Sequence, residues 1–145
     1  MYYNDAFVRP RYEETDQMGV VYHGNYLTYF EVGRSEYFRS LGYSYRKLEE
    51  EGIILPVINA SCNYILPAKY DDELAIRTRI IDLKGARLEL FYEVVRKDDG
   101  EEVILATGKT QHAFVNKELK PVRLRRANPT FWNLLESHFE TLKEN

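Results

Sequence analysis

The segment from Thr15 to Tyr26, TDQMGVVYHGNY, is the stretch of this 145-residue chain richest in groups that do chemistry. It holds a carboxylate, Asp16; a flexible point, Gly19; a histidine, His23; and a second glycine, Gly24, just before a helical pattern. The first turn of a helix presents N–H groups without intrahelical acceptors together with the positive end of the helix dipole, which suits an oxyanion or a polarised carbonyl. If the loop folds back so that Asp16 reaches the same spot as the N–H groups near His23 and Gly24, the parts for acyl transfer to water are present. Each residue also has a plainer reading. Asp16 can cap a turn in Thr-Asp-Gln-Met-Gly, and His23 can be a hydrogen-bonded structural histidine at a helix end.

Other chemistries are less well provided for. No G-x-S-x-G elbow occurs, so a Ser/His/Asp hydrolase is not indicated. His23, His112 and His138 lack any ligand spacing such as H-x-x-x-H, and no resident metal is expected. A basic run, KELKPVRLRR at 117–126, sets Lys117, Lys120, Arg123, Arg125 and Arg126 against one acid, Glu118. It reads either as a holder for a small anionic group or as a solvated charged tail.

The elements that must position these groups follow from periodicity. Residues 3–12 read as a strand. From Asn25 to Leu41 the side chains of Tyr26, Phe30, Tyr37 and Leu41 recur at helical spacing, flanked by Leu27, Arg34 and Phe38, and Gly42 is the stop signal. Gly33 in mid-helix costs about 1 kcal/mol relative to alanine, which close approach to another backbone would offset. Ser44 to Glu51 reads as a short helix ended by Gly52. The period then becomes two, with strands expected at 54–66 (Ile58, Ala60, Cys62 and Tyr64 on one face), 73–84, 87–97 and 102–116. Asp71-Asp72, Lys84-Gly85 and Asp98-Asp99-Gly100 supply turns, the last a strong hairpin signal. Asn128 as cap and Pro129 at the first helical position open a terminal helix. The expected class is therefore α+β, a mainly antiparallel sheet covered by one long helix.

Length and composition bound the rest. At 145 residues the chain is expected to form a single domain, 1–145, with a core large enough to need no staples. The lone Cys62 removes an internal disulfide framework and favours a reducing compartment, so a cytoplasmic location is expected. No apolar run approaches membrane-spanning length and the amino terminus lacks a signal-peptide core, so neither a membrane span nor export is expected. A net charge of -3 argues against general nucleic-acid binding. Nine tyrosines (2, 3, 12, 22, 26, 29, 37, 43 and 45) fall in the first 45 residues, a placement that suits a pocket wall or a subunit interface as well as ordinary packing.

The run RYEETDQMGVVYHGNYLTYFEVGRSEYF resembles the active-site loop and central helix of hotdog-fold acyl-CoA thioesterases of the 4-hydroxybenzoyl-CoA thioesterase type, particularly the branch associated with the bacterial Tol-Pal cluster. The resemblance continues through YILPAKYDDEL at 64–74 and ATGKTQHAFVN at 106–116, and so covers nearly the whole chain. It implies an antiparallel sheet wrapped around one long central helix, with a C-terminal helix, and active sites at a dimer interface in a homodimer or homotetramer. The family's catalytic carboxylate corresponds to Asp16, its loop glycine to Gly19, and its carbonyl-polarising backbone N–H to that of His23, beside Gly24. Some members carry tyrosine at the position of His23, which favours a backbone role for that residue.

The activity so implied is hydrolysis of an acyl-CoA thioester, with Asp16 as nucleophile or as general base for water. Coenzyme A is then part of the substrate and no separate cofactor is expected. Its phosphates give the basic run a partner, with Lys117, Lys120, Arg123 and Arg125 as candidate contacts. Glu31 and Glu36 rank second as the acid, because some other hotdog thioesterases place theirs on the helix. Two rival readings stay open: a hotdog hydratase or dehydratase using the same acid and histidine, and a non-catalytic scaffold in an envelope-associated complex.

Overall fold

The computed structural model describes residues 2–144, with side chains through Phe139; Met1 and Asn145 of the expected 1–145 domain lie outside the described residues. Five strands, β1 (Asn4–Val8), β2 (Val57–Tyr64), β3 (Leu74–Lys84), β4 (Arg87–Asp98) and β5 (Glu101–Ala113), form one antiparallel sheet in the order β1-β3-β4-β5-β2. Four helices accompany them among the described residues: α1 (Asn25–Ser40), α2 (Tyr45–Glu50), α3 (Leu124–Ala127) and α4 (Pro129–Glu144). This is the α+β hotdog arrangement expected, with α1 laid on one face of the sheet.

Strand ends fall where the ladder loses a partner. Pro10 has no N–H to give, so the strand expected over 3–12 stops at Val8, and the chain makes a short 3-10 turn at Tyr12–Glu14 that periodicity did not indicate. Pro56 likewise delays β2 to Val57, and the N–H groups of Ile65 and Leu66 both go to the Leu105 carbonyl, which ends the strand at Tyr64. β5 stops at Ala113 because the Phe114 N–H turns to Ala86. A register shift between Val57 and Asn59 takes Ile58 out of the face it was expected to share, leaving Ala60, Cys62 and Tyr64 opposite Thr110, Gly108 and Ala106. At the β4–β5 hairpin Asp99 and Gly100 both have positive φ, 54° and 82°, the twist that a two-residue turn needs.

α1 buries Tyr26, Tyr29, Phe30, Gly33, Tyr37 and Phe38, whereas Leu27 is exposed. A Cβ on Gly33 would lie 2.6 Å from Ile76 Cγ2 and 2.7 Å from Thr78 Oγ1, so the close approach is to side chains of β3 rather than to backbone. Phe30 stacks on Tyr92 with centroids 4.5 Å apart and lies over Gly108, where a Cβ would sit 2.3 Å from the ring. These contacts fix the rotation of α1 on the sheet, and with it the direction of its amino terminus. Leu124, fully buried, and its N–H bond to Gly85 explain α3, which the basic sequence around it hid. Asn128 caps α4 as expected, its Oδ1 accepting the Phe131 N–H at 3.1 Å.

Candidate active site

The loop from Thr15 to Gly24 is held as a narrow hairpin. Thr15 and Val21 form a bridge, the Asp16 N–H donates to the Val20 carbonyl at 2.9 Å, and the Gly19 N–H returns to the Asp16 carbonyl at 3.0 Å. Gly19 has φ +78°, a left-handed conformation that explains a glycine at this point. Behind the hairpin, the Val21 N–H donates to Ala68 at 2.8 Å and Val20 bridges to Lys69, so residues 68–69 support it from the sheet side.

Asp16 takes the turn-capping part and leaves its second carboxylate oxygen open. Its Oδ1 accepts the Met18 N–H at 2.9 Å, which is the turn-capping role, while Oδ2 has no protein partner among the described residues. The carboxylate is only half-buried, so one oxygen is fixed and the other is presented.

The entry to α1 supplies the donors. Gly24 is the residue before the helix, and the backbone N–H groups of His23 and Gly24 have no acceptor among the described residues. A Cβ on Gly24 would meet the Tyr22 ring at 2.9 Å, so this glycine is explained by space rather than by φ. The His23 side chain is exposed, with its ring 4.4 Å from that of Tyr22, and it makes no side-chain hydrogen bond among the described residues. A backbone role therefore fits this residue better than a side-chain one.

A cavity of about 310 Å³ brings these groups together, lined by Asp16, Met18, Val20, Val21, His23, Tyr26, Tyr64, Ile65, Leu66 and Pro67. Asp16 and His23 supply its polar lining, and its walls are aromatic and aliphatic. Such a site can hold an apolar acyl group with its carbonyl at the helix end. Tyr64 enters from 41 residues beyond His23, where the sequence shows only one member of a strand face; pairing of β2 with β5 brings it there, and no local pattern signals it.

The other candidates lie elsewhere. Glu31 is exposed and Glu36 is ion-paired with Arg39, and neither lines the Asp16 cavity. Arg123 and Arg125 line a separate cavity of about 600 Å³ with Arg126, Trp132 and Gly85, and Arg125 sits over the Trp132 ring at 5.3 Å. Lys117 and Lys120 are not part of it; they flank an exposed turn closed by Asn116, whose Oδ1 accepts the Glu118 and Lys120 N–H groups at 3.0 Å. Within one chain the arginine cavity is at the far end of the sheet. Tyr64 pairs with Ala106, while Gly85 lies beyond the Ala113–Arg87 pair, and β5 from Ala106 to Ala113 spans roughly 24 Å at about 3.4 Å per residue. Among the described residues, no three His, Cys, Asp or Glu side chains come together as a metal site.

The profile of the Thioesterase-like superfamily matches residues 10–130, which contain the hairpin, α1, the cavity and the arginines. The chain belongs to that superfamily. Within it, the chain is 36% identical over 137 residues to YneP of Bacillus subtilis (strain 168), covering 94% of this chain and 97% of that protein. It is 35% identical over 92 residues to the acyl-CoA thioester hydrolase YbgC of Escherichia coli O6:H1 (strain CFT073), covering 63% and 69%. The crystal structure of a DHNA-CoA thioesterase from Staphylococcus aureus superposes on this thioesterase-like chain with a TM-score of 0.89 at 36% identity, covering 99% and 95%.

Proposed function

We propose that this chain hydrolyses acyl-CoA thioesters, with Asp16 as nucleophile or general base and the His23 backbone N–H polarising the thioester carbonyl. The observation that carries this reading is one cavity lined both by Asp16, with one carboxylate oxygen unpaired, and by His23 at the start of α1, whose backbone N–H has no acceptor among the described residues. The acyl-CoA substrate is suggested by the names of the relatives just given.

In the nucleophilic route Asp16 Oδ2 attacks the carbonyl carbon, the oxyanion is held by the N–H donors, and the C–S bond breaks to release CoA thiolate. Water then hydrolyses the aspartyl anhydride and returns the carboxylate. In the general-base route Asp16 takes a proton from water as its oxygen attacks the same carbon, and that proton leaves with the thiolate. Both routes need only groups that line the cavity, and neither calls for a metal or a separate cofactor.

Dimerisation belongs to the proposal. β2 is an unpaired sheet edge, and Val57, Ile58, Tyr64, Ile65 and Leu66 beside it are exposed. Antiparallel pairing of two β2 edges reverses one strand against the other. It would place a partner's arginine cavity three strand spacings, each about 4.8 Å, from the Asp16 end, closer than the same cavity in its own chain. Arg123 and Arg125, with Lys117 and Lys120 as outlying charges, are the proposed contacts for the CoA phosphates, and two such dimers would make a tetramer. The reducing cytoplasm, suited to the single Cys62, is the proposed location; none of the described helices is long and apolar enough to cross a membrane.

The test is release of free thiol from a panel of saturated acyl-CoA esters, short aliphatic to aryl and long-chain, with a chelator present. Thiol release that persists in chelator supports the reading. Water addition to an enoyl-CoA without thiol release, or no turnover of any ester, would overturn it in favour of a hydratase or a scaffold.

A further inference from the structure

The hairpin that carries Asp16 and the helix start that carries His23 are joined through one residue. The Glu14 carbonyl accepts the Tyr22 N–H at 2.9 Å and the Asn25 side-chain amide at 2.8 Å, closing the loop at its base. The Glu14 carboxylate accepts the Tyr29 hydroxyl at 2.6 Å through Oε1 and the Arg11 Nε at 2.7 Å through Oε2. Tyr29 stands four residues after Asn25, on the same side of α1, so Glu14 grips the helix start at two levels about one turn apart.

Burial makes this grip firm. The Tyr29 residue is 4% exposed and the Glu14 side chain 17%. Desolvation works to raise the Glu14 carboxyl, but the hydrogen bonds from Tyr29 and Arg11 outweigh it and hold it below the usual glutamate value. Burial first and the Glu14 contact second push the Tyr29 phenol far up, so it remains the donor. Tyr29 also packs edge-on against Tyr26 at 6.0 Å, and Tyr26 lines the Asp16 cavity.

We propose that Glu14 and Tyr29 are a positioning pair that sets the spacing between the Asp16 carboxylate and the His23 N–H. The pair touches no reacting atom. It acts by fixing the hairpin base to the helix, so that acid and donor meet one carbonyl from the correct sides. This inference rests on the reading of Asp16 and His23 given above.

The experiment compares kcat and KM for acyl-CoA hydrolysis in Tyr29→Phe, Glu14→Ala, Glu14→Gln and the double variant Glu14→Ala/Tyr29→Phe, each assayed well below its own melting temperature. Tyr29→Phe keeps the ring and loses only the hydroxyl. Its kcat is expected to fall about tenfold with KM changed less than about twofold, since a small misplacement of reacting groups is felt in the chemical step. Glu14→Ala should match it, the double variant should add little, and Glu14→Gln, which still offers an acceptor to Tyr29, should recover most of the loss. Wild-type kcat in folded Tyr29→Phe, or equal losses in Glu14→Gln and Glu14→Ala, would overturn the proposal. Asp16→Asn, run alongside, separates the two readings: if it is inactive while Tyr29→Phe is normal, only the positioning pair fails, whereas an active Asp16→Asn removes the site assignment itself.

Discussion

The Tyr64 hydroxyl donates to the main-chain carbonyl of His23 at 3.0 Å, tying the end of β2 to the start of α1. That carbonyl shares a planar peptide unit with the Gly24 N–H, and in a trans peptide the two point in opposite directions. Tyr64, with the Tyr26 N–H that reaches the same carbonyl at 3.2 Å, therefore holds the main chain immediately after the His23 N–H proposed to polarise the substrate carbonyl. Tyr64→Phe retains the ring and removes the bond to this carbonyl, along with the hydroxyl's contact to Cys62; the loss of the carbonyl bond is commonly a net effect of about 1 kcal/mol, so kcat should drop about fivefold with KM nearly unchanged. Steady-state kinetics on the folded variant check this.

His23 separates main-chain from side-chain function. His23→Ala keeps the backbone N–H and should lose less than about threefold in kcat, whereas His23→Pro deletes that donor and should lose about 100-fold or more. Circular dichroism must show both variants folded before their rates are compared.

His112 gives the chain a built-in acid sensitivity. Its ring is fully buried, with Nε2 2.8 Å from Thr110 Oγ1 and Nδ1 3.1 Å from the Leu55 carbonyl; burial, reinforced by Arg34 and opposed by the Leu55 contact, pushes it down to about 4. The unfolded chain takes up this proton near pH 6.5 and the folded chain only near pH 4, so stability is full above pH 6.5 and is lost as pH falls through that window. The contribution is on the order of 3 kcal/mol. Unfolding midpoints in denaturant between pH 7 and pH 4 should slope steeply in the wild type, and the slope should flatten in His112→Gln.

Gly108 is reserved for the Phe30 ring. Adding one methyl there forces Phe30 off Tyr92 or moves β5, and Gly108→Ala should cost about 1–3 kcal/mol by urea unfolding.

The order of elements was legible in the sequence because β3 and β4 alternate buried and less buried residues over most of their length and the hairpin at Asp98–Gly100 carries its own turn code. Boundaries shifted wherever a carbonyl found a partner outside the ladder, as at Leu105 and Ala86, which no periodicity encodes. Asp16, Gly19, His23 and Gly24 were visible as a local cluster, of which folding brings Asp16 and His23 to one cavity. Tyr64 was not visible, since its part in the site depends on a contact across 41 residues, and neither was the separation of Arg123 and Arg125 from the Asp16 loop, which a linear reading cannot measure. Glu14 lay in plain view two residues from Asp16, but its two-sided grip on Tyr22 and Tyr29 exists only once α1 has docked on the sheet.

The most direct test of the account is the turnover of Asp16→Asn. Asparagine still offers Oδ1 to the Met18 N–H, so the turn and the fold should persist, while the negative charge and basicity of the other oxygen are gone. With acyl-CoA as substrate, kcat should fall on the order of 100-fold or more, with the melting temperature and substrate binding little changed. Near-normal hydrolysis by a stable Asp16→Asn protein would contradict the assignment of the carboxylate and send the search to Glu31 and Glu36.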